Sequence, residues 1–554
     1  MESNTQRSPL SSWRDCFVLK RIRMLAPVGF KTEIKKLCTL AGPVVLSHLM
    51  AYTLSFVSAI FCGHLGTVEL AGVSLATSVI NVIGISVGSG LASACDTLIS
   101  QTYGSQNLLR IGVILQRAIL ILLLACFPCW AILINTEAIL LAVKQEPEVA
   151  RVSQLYVKIF LPALPATFMY ALQTSYLQNQ SIIWPPVITG LIVNILNAVI
   201  QYIFIFVLHL GIAGSAAANA ISQYCMATTL FAYIIWKGLH KPTWGGWTKE
   251  CLQDWGSYMY LAIPSMVMMC VEWWSYEIGS LLAGLISEVE LGAQSIVYQL
   301  ANIAFMFPLG FSIAGNVRVG QALGGGDTEQ AKLSAKLTIF CAGSMSICWS
   351  ILLGSLKGQM SYVFSDDEQI RQRVTDVLSI YAPFMILDAL SASLGGIIRG
   401  AGKQKIGAIC NILGFYGVGF PIGVPLMFAA KLGIIGLWIG LVTGVFLQVI
   451  FLSSYLLRMN WNKATTEAQI RAGVVGSSTD TSPQPEDPGD SQDSAGTDTV
   501  ELVDREAGGP AVSPGEEELS LRSLLLRRGL VLAVMLFILA AGIIINLLIN
   551  NLVT

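Results

Sequence analysis

Long apolar blocks, separated by short loops and punctuated by Gly and Pro, run through almost the whole chain. They fall near 37–62, 70–100, 111–134, 153–178, 184–207, 211–236, 257–284, 290–314, 331–355, 374–398, 406–430 and 433–457, with a thirteenth at 529–549. Each is about 20 residues or longer, the length at which a helix crosses a hydrocarbon core of roughly 30 Å. The pattern predicts an all-α polytopic membrane protein: a cytoplasmic segment over 1–36, a first six-helix lobe over 37–236, and an inter-lobe loop over 237–256. A second lobe follows over 257–457, then a linker over 458–528, the thirteenth span and a short tail over 550–554. From about Asn462 to Ser520 the residues are mainly Ser, Thr, Pro, Gly, Asp and Glu, which cannot bury a core, so disorder is expected there.

Basic residues set the expected orientation. Lys20, Arg21, Arg23, Lys31, Lys35 and Lys36 precede the first block, which places the N-terminus in the cytoplasm. Alternate loops carry Arg110, then Lys237, Lys241 and Lys249, then Arg318 and Lys332, then Arg399, Lys403 and Lys405. The intervening loops are mixed or acidic, with Glu137, Glu146 and Glu148 in one and Asp366, Asp367 and Glu368 in another. No apolar signal-peptide core precedes Lys36, so the first span is expected to direct its own insertion, and the last span leaves an extracellular C-terminus.

The halves of the twelve-span body repeat at an offset near 221 residues. Val68-Glu69-Leu70-Ala71 recurs as Val289-Glu290-Leu291-Gly292, and Gln101 and Gly104 recur as Gln321 and Gly324. Arg151-Val152 and Pro162 return as Arg373-Val374 and Pro383, and Asn194-Ile195-Leu196 returns as Asn411-Ile412-Leu413. Leu210-Gly211-Ile212-Ala213-Gly214 matches Leu432-Gly433-Ile434-Ile435-Gly436. Six spans per half make both lobes enter from one side, so a pseudo-twofold axis along the membrane normal relates them. Transporters built this way place their site between the halves and rock them for alternating access.

Composition narrows the picture. Residues are 54% hydrophobic and only 12% charged, against roughly 25% charged in ordinary soluble domains. A mean hydropathy of +0.66 fits a membrane protein, and the absence of a basic stripe interleaved with aromatics argues against nucleic acid. The 12 cysteines are scattered, mostly inside apolar blocks, and read as small packing residues with no metal site. Gly324-Gly325-Gly326 lacks the Lys of a phosphate loop, so no ATP-hydrolysing apparatus is visible. No metal cluster, nucleophile–base pair or cofactor loop supports an enzyme.

Against that background, the block from Trp255 to Gly284 is unusual, because it contains Glu272 and Glu277 among Trp273, Trp274 and Tyr276. A charge at the bilayer centre costs about 2.5–3.5 kcal/mol on insertion scales, so such residues usually face water and handle ions. Five residues turn a helix by about 140°, which puts the two carboxyls on different faces. Asp388, in the tenth block, is a third acid able to share a proton or a cation with one of them. The aromatic neighbours can attract a flat cation through their rings. Other polar residues inside blocks, His48, Asn81, Asn194, Gln201, Tyr298 and Gln299, are candidates for the substrate cavity. Asp96 lies near the cytoplasmic end of the second block, where an interhelical role is as fitting as a chemical one.

FCGHLGTVELAGVSLA at 61–76, SACDTLISQTYGSQN at 93–107, VEWWSYEIG at 271–279, VELGAQSIVYQ at 289–299 and RGAGKQKIGAICN at 399–411 carry a resemblance to the multidrug and toxin extrusion (MATE) family. It covers all twelve repeat spans. The thirteenth span and acidic linker make the chain similar to vertebrate kidney and liver members that exchange protons for organic cations. The resemblance implies two six-helix lobes around a V-shaped cleft, with coupling acids in the second lobe. Glu272 matches an acid tied to proton coupling and cation binding, Glu277 an acid important for transport, and Asp388 a position usually Glu in vertebrate relatives. Gln299 stands where that pattern has Glu, which puts a fourth acid in doubt. Cys62 and Cys126 match cysteines near the family's substrate path.

The implied activity is a monomeric, proton-coupled antiporter of organic cations, apical in the plasma membrane of epithelial cells, with protons, the cations and membrane lipids as partners and no cofactor. Sodium coupling by the same acids, a lipid-linked oligosaccharide flippase and a channel are the alternatives. A flippase cavity should be cationic to hold pyrophosphate, and a channel would conduct without coupled exchange.

Overall fold

A computed structural model describes residues 28–474 and 520–553 of the chain. Six helical segments form the first lobe: α1 Phe30–Gly63, α2 Thr67–Gly104, α3 Leu108–Leu133, α4 Pro147–Gln178, α5 Trp184–Val207 and α6 Ile212–Lys237. The second lobe holds α7 Trp255–Ile286, α8 Glu288–Gly324, α9 Thr328–Phe364, α10 Glu368–Ala401, α11 Gln404–Phe428 and α12 Ile434–Arg458. Beyond it come α13 Trp461–Arg471 and α14 Leu521–Val553.

Among the described residues, eleven segments are long and apolar enough to cross a membrane. The expected count of thirteen exceeds this by α6 and α7, which have 26 and 32 residues and so have the length. Their shortfall is in apolarity: α6 buries Ser215, Asn219 and Ser222, and α7 carries Glu272 and Glu277.

Each lobe has its own core. Ile99, Leu122, Leu164 and Phe168 anchor the first; Val297, Tyr381, Phe384 and Trp438 anchor the second. Outward-facing Ile195, Phe340 and Phe451 are more than half exposed, as suits helices whose outer solvent is hydrocarbon.

The lobes join by a reciprocal exchange of contacts. α1 packs on α8 while α7 packs on α2, so the first helix of each lobe lies against the second helix of the other. Backbones approach closely at matched glycines, as small residues allow in membrane helices. A Cβ on Gly90 would lie 2.5 Å from Met266 Cα, and one on Gly310 would lie 2.5 Å from a Val45 methyl. Among the described residues, π-helical stretches at Ile80–Ile85 and Ile412–Gly419 interrupt α2 and α11, and a third, Ile203–Val207, ends α5. Such bulges re-aim side chains and free carbonyls, often at functional sites.

One finding alters the expected domain map. Residues 461–471, expected to belong to the linker, form α13: Asn460 caps its N-terminus, and Ala464, Ala468 and Ala472 recur every four residues on its fully buried face. Residues 475–519 of that linker lie outside the described residues. The final span docks on α3, where Asn135 and Asn546 reach across to Gly542 O and Ile134 O at 3.2 and 3.1 Å. Gly542 permits the approach, because a Cβ there would sit 2.7 Å from that of Ala131.

Candidate functional site

Helix periodicity gathers the chemistry of the second lobe. On α10, Tyr381, Asp388 and Arg399 are seven and eleven residues apart, within about 20° of whole turns, so they share one face. On α7, Glu272 turns into the second lobe, close enough to Asp388 that the two carboxyl charges act on each other. Tyr276, one turn along, lies against Tyr298 of α8 at 5.7 Å between centroids, the rings inclined by 40°, and meets Phe415 of the α11 π-segment at 6.5 Å. Behind them Tyr381, Phe384 and Trp438 form an edge-on cluster, and Trp438 Nε1 donates to Gln294 Oε1 at 2.9 Å.

What this pocket lacks is as informative as what it holds. Asp388 is 8% exposed and Glu272 half-buried, yet neither accepts a hydrogen bond or forms an ion pair within the described residues. Tyr381, 1% exposed, has a hydroxyl without a hydrogen-bond partner among the described residues. A buried charge without compensation costs several kcal/mol, so a carboxyl pair held this way favours a proton or a cation as its partner. A positive charge that reaches Glu272 is Arg399, whose guanidinium also acts on Asp96 of the first lobe and donates to Ser312 Oγ at 3.2 Å.

Glu277 faces the other way, toward Ser78 on α2, with the Tyr298 ring nearby. Trp274 also points to the first lobe, where its Nε1 donates 2.9 Å to Val82 O inside the α2 π-segment. Trp273 is half-buried on the same stretch. Asn81 lines a separate hollow of about 50 Å³ in the first lobe, among Ser58, Thr77, Tyr156 and Asn219, and Gln201 borders it by donating 3.2 Å to Asn219 Oδ1. That volume has room for water but not for a drug-sized ligand.

The remaining candidates share no hydrogen bond or ion pair with the two carboxyls among the described residues. Asn194 donates to Met50 O and Gly190 O at 2.8 and 2.7 Å, bracing α5 against α1. His48 is half-buried on α1, and Gln299 is exposed on α8. Asp96 accepts from Ser175 at 2.7 Å and Asn179 at 3.0 Å, an interhelical role that also keeps the Asn179 side chain buried.

Polarity within apolar blocks pointed to the acids, but missed Tyr381 and Arg399. Both could have been found by counting whole turns from Asp388. Glu33 was also missed: it sits at the foot of α1 in a bidentate pair with Arg318, both contacts at 2.9 Å, and accepts from Gln330 and Ser334. Its sequence neighbours are the basic leader, and only the fold brings α8 and α9 to it.

Two six-helix lobes joined by reciprocal helix contacts, with unpartnered carboxyls at mid-depth of one lobe, define a two-lobed membrane transporter. A family model described as MatE matches residues 43–203 and 264–424, so its two copies begin at the offset read from the repeat. Multidrug and toxin extrusion protein 1 of Danio rerio is 57% identical over 95% of this chain and 92% of its own length. Multidrug and toxin extrusion protein 2 of Mus musculus is 50% identical over 96% and 95%. The crystal structure of the eukaryotic MATE transporter AtDTX14 is 29% identical and covers 80% of this chain and 100% of its own, with a TM-score of 0.78. The chain belongs to the multidrug and toxin extrusion family.

Proposed function

We propose that this chain is a plasma-membrane antiporter, apical in epithelia, that expels organic cations as protons enter. The observation that carries this reading is the Glu272–Asp388 pair, two acids near enough for their charges to interact, with no hydrogen-bond or ion-pair partner among the described residues and the Tyr276 and Tyr298 rings close by. Proton and cation compete for the same negative charge, so occupancy by one excludes the other. With the lobes joined at their basic end and the pocket open to the outside, a proton displaces the cation. After the lobes rock, the proton leaves to the cytoplasm and a new cation binds. Tyr276 and Tyr298 offer ring faces to the cation, an attraction worth about 2 kcal/mol or more once desolvated. Glu277 and Ser78 lie on the path between the lobes and act during passage. The relatives' name, multidrug and toxin extrusion protein, supports this direction of transport. In the same reading the basic end and the N-terminus face the cytoplasm, the C-terminus lies outside, and the unit is one chain in lipid.

Uptake of a radiolabelled organic cation into proteoliposomes, under an imposed proton or sodium gradient, tests the proposal. Uptake driven by a proton gradient and lost in Glu272→Gln and Asp388→Asn is the expected result. Glu272→Gln that keeps proton-driven exchange would overturn it. Uptake driven by sodium alone would make the same acids a metal-ion site.

A further inference from the structure

The basic end of the molecule is closed by two devices of different origin. The first is the repeat itself. Gln101 and Gly104 of α2 meet their repeat partners Gln321 and Gly324 of α8 across the pseudo-twofold axis. A Cβ on Gly104 would lie 2.0 Å from Gln321 O, and one on Gly324 would lie 1.8 Å from Gln101 O. Side chains reinforce the crossing. Gln101 Nε2 donates 2.9 Å to Gly400 O, and Gln321 Nε2 donates 3.0 Å to Asn179 O.

The second device lies outside the repeat. α13 follows α12 directly and spans both lobes. Toward the second lobe, Glu467 accepts from Lys403 Nζ at 2.8 Å, and Thr465 bonds Thr328 at 2.7 Å. Toward the first, Arg471 donates 3.4 Å to Gln101 Oε1, and Asn107 Nδ2 donates 2.9 Å to Ala472 O. The anchorage is unequal: an ion pair and chain continuity on one side, two hydrogen bonds on the other. A hollow of about 390 Å³ lies between Arg471, Leu98 of α2 and Ser257, Tyr260 and Leu261 of α7.

We propose that α13 is a latch that travels with the second lobe, and that Arg471 and Asn107 are positioning residues holding the cytoplasmic mouth shut. Gln101 is the shared point: its main chain lies over Gly324, and its amide bonds both Gly400 and Arg471. Opening the mouth therefore frees Gln101 from α13 and from α10 in the same movement. The Glu467 pair stays intact and keeps the helix on its lobe, ready to reclose. This assignment uses the antiport reading only to name the side on which the mouth opens.

Hydrogen exchange read by mass spectrometry on the full chain in lipid nanodiscs tests the latch without reference to transport. Asn107→Ala with Arg471→Met should raise exchange of residues 97–104 and 318–326 about tenfold, leaving residues 434–444 at the parent rate. Arg471→Lys, which keeps a donor, should restore most of the protection. Unchanged exchange at 97–104 in the double variant, or equal loosening of 434–444, would overturn the proposal. Loosening at the mouth in a protein that shows no proton-driven uptake would leave the latch standing and remove the antiport reading.

Discussion

Gly324→Ala gives the sharpest test of how the lobes close. The added methyl would start 1.8 Å from Gln101 O, and Cβ contacts under 3.0 Å essentially do not occur, so α2 and α8 must part by about 1.2 Å. The obstacle is backbone on a rigid helix, which cannot swing aside as a flexible side-chain end would. Overpacking of this kind costs about 1–3 kcal/mol. That cost exists only while the basic ends touch and vanishes when they separate, so the equilibrium moves toward the separated state by about 5–150-fold. Paired spin labels at Leu109 and Leu457, exposed positions at the basic ends of the two lobes, would report the change as added population at longer distance in a cysteine-replaced background. Gly104→Ala, the symmetry mate with a 2.0 Å approach to Gln321 O, should act alike, whereas Gly42→Ala, with nothing within 4 Å, should not act at all. A folded Gly324→Ala protein with the parent's distance distribution would refute the reasoning.

Three further outcomes follow from single contacts. Glu33→Gln leaves the largely buried Arg318 without its bidentate partner, and thermal unfolding in nanodiscs should show a loss of about 3 kcal/mol, partly recovered by adding Arg318→Gln. Trp274→Phe removes one bond to Val82 O and should weaken the α7–α2 seam by about 0.5–1.5 kcal/mol, read as faster exchange over residues 80–86. Burial opposes ionisation of Glu467, but Lys403, Arg471 and Lys463 together outweigh this and hold the carboxyl below its ordinary range. The ion pair's contribution is thus complete above the unfolded carboxylate value and lost as pH falls through the lower folded one. Exchange of residues 461–471 should be flat across neutral pH and rise only in acid; a rise near neutrality would refute the assignment.

The sequence exposed the elements that repeat or stand out by charge. Gln101, Gly104, Gln321 and Gly324 were legible as a pair of motifs because the same backbone crossing is made twice and tolerates the same residues each time. Glu272, Glu277 and Asp388 were legible because an acid in an apolar block carries an energetic cost that packing alone does not explain. Polarity without charge was a poorer guide. Asn194 has the same outward appearance as Asn81, yet one bonds backbone carbonyls between α1 and α5 and the other lines a hollow. The helix α13 was illegible by composition, since its Asn, Thr and Glu resemble the linker beyond it. Only Ala464, Ala468 and Ala472, spaced by one turn, record the buried face. Glu33 depends on Arg318, 285 residues away, and Arg399 acts on Asp96 of the other lobe, and no local pattern announces either meeting.

Symmetry of shape and asymmetry of charge divide the work between the lobes. At the repeat offset of 221 residues, the positions of Glu272, Glu277 and Asp388 correspond to Ala51, Phe56 and Thr167, so the first lobe has no acid where the second has three. The closing contacts, in contrast, are duplicated: Gly90 with Met266 against Gly310 with Val45, and Gly104 with Gln321 against Gly324 with Gln101. Rocking two lobes about a shared axis needs matched surfaces on both, which preserves the glycines and glutamines in each half. Coupling needs a single competition for charge, and a second acid pocket would bind a second ion without reference to the first. Moving the acid pair to the first lobe, as Ala51→Glu with Thr167→Asp, would therefore add a binding event without adding coupling. The closing surfaces could tolerate no such departure, because a change on one lobe must be met by its mate on the other.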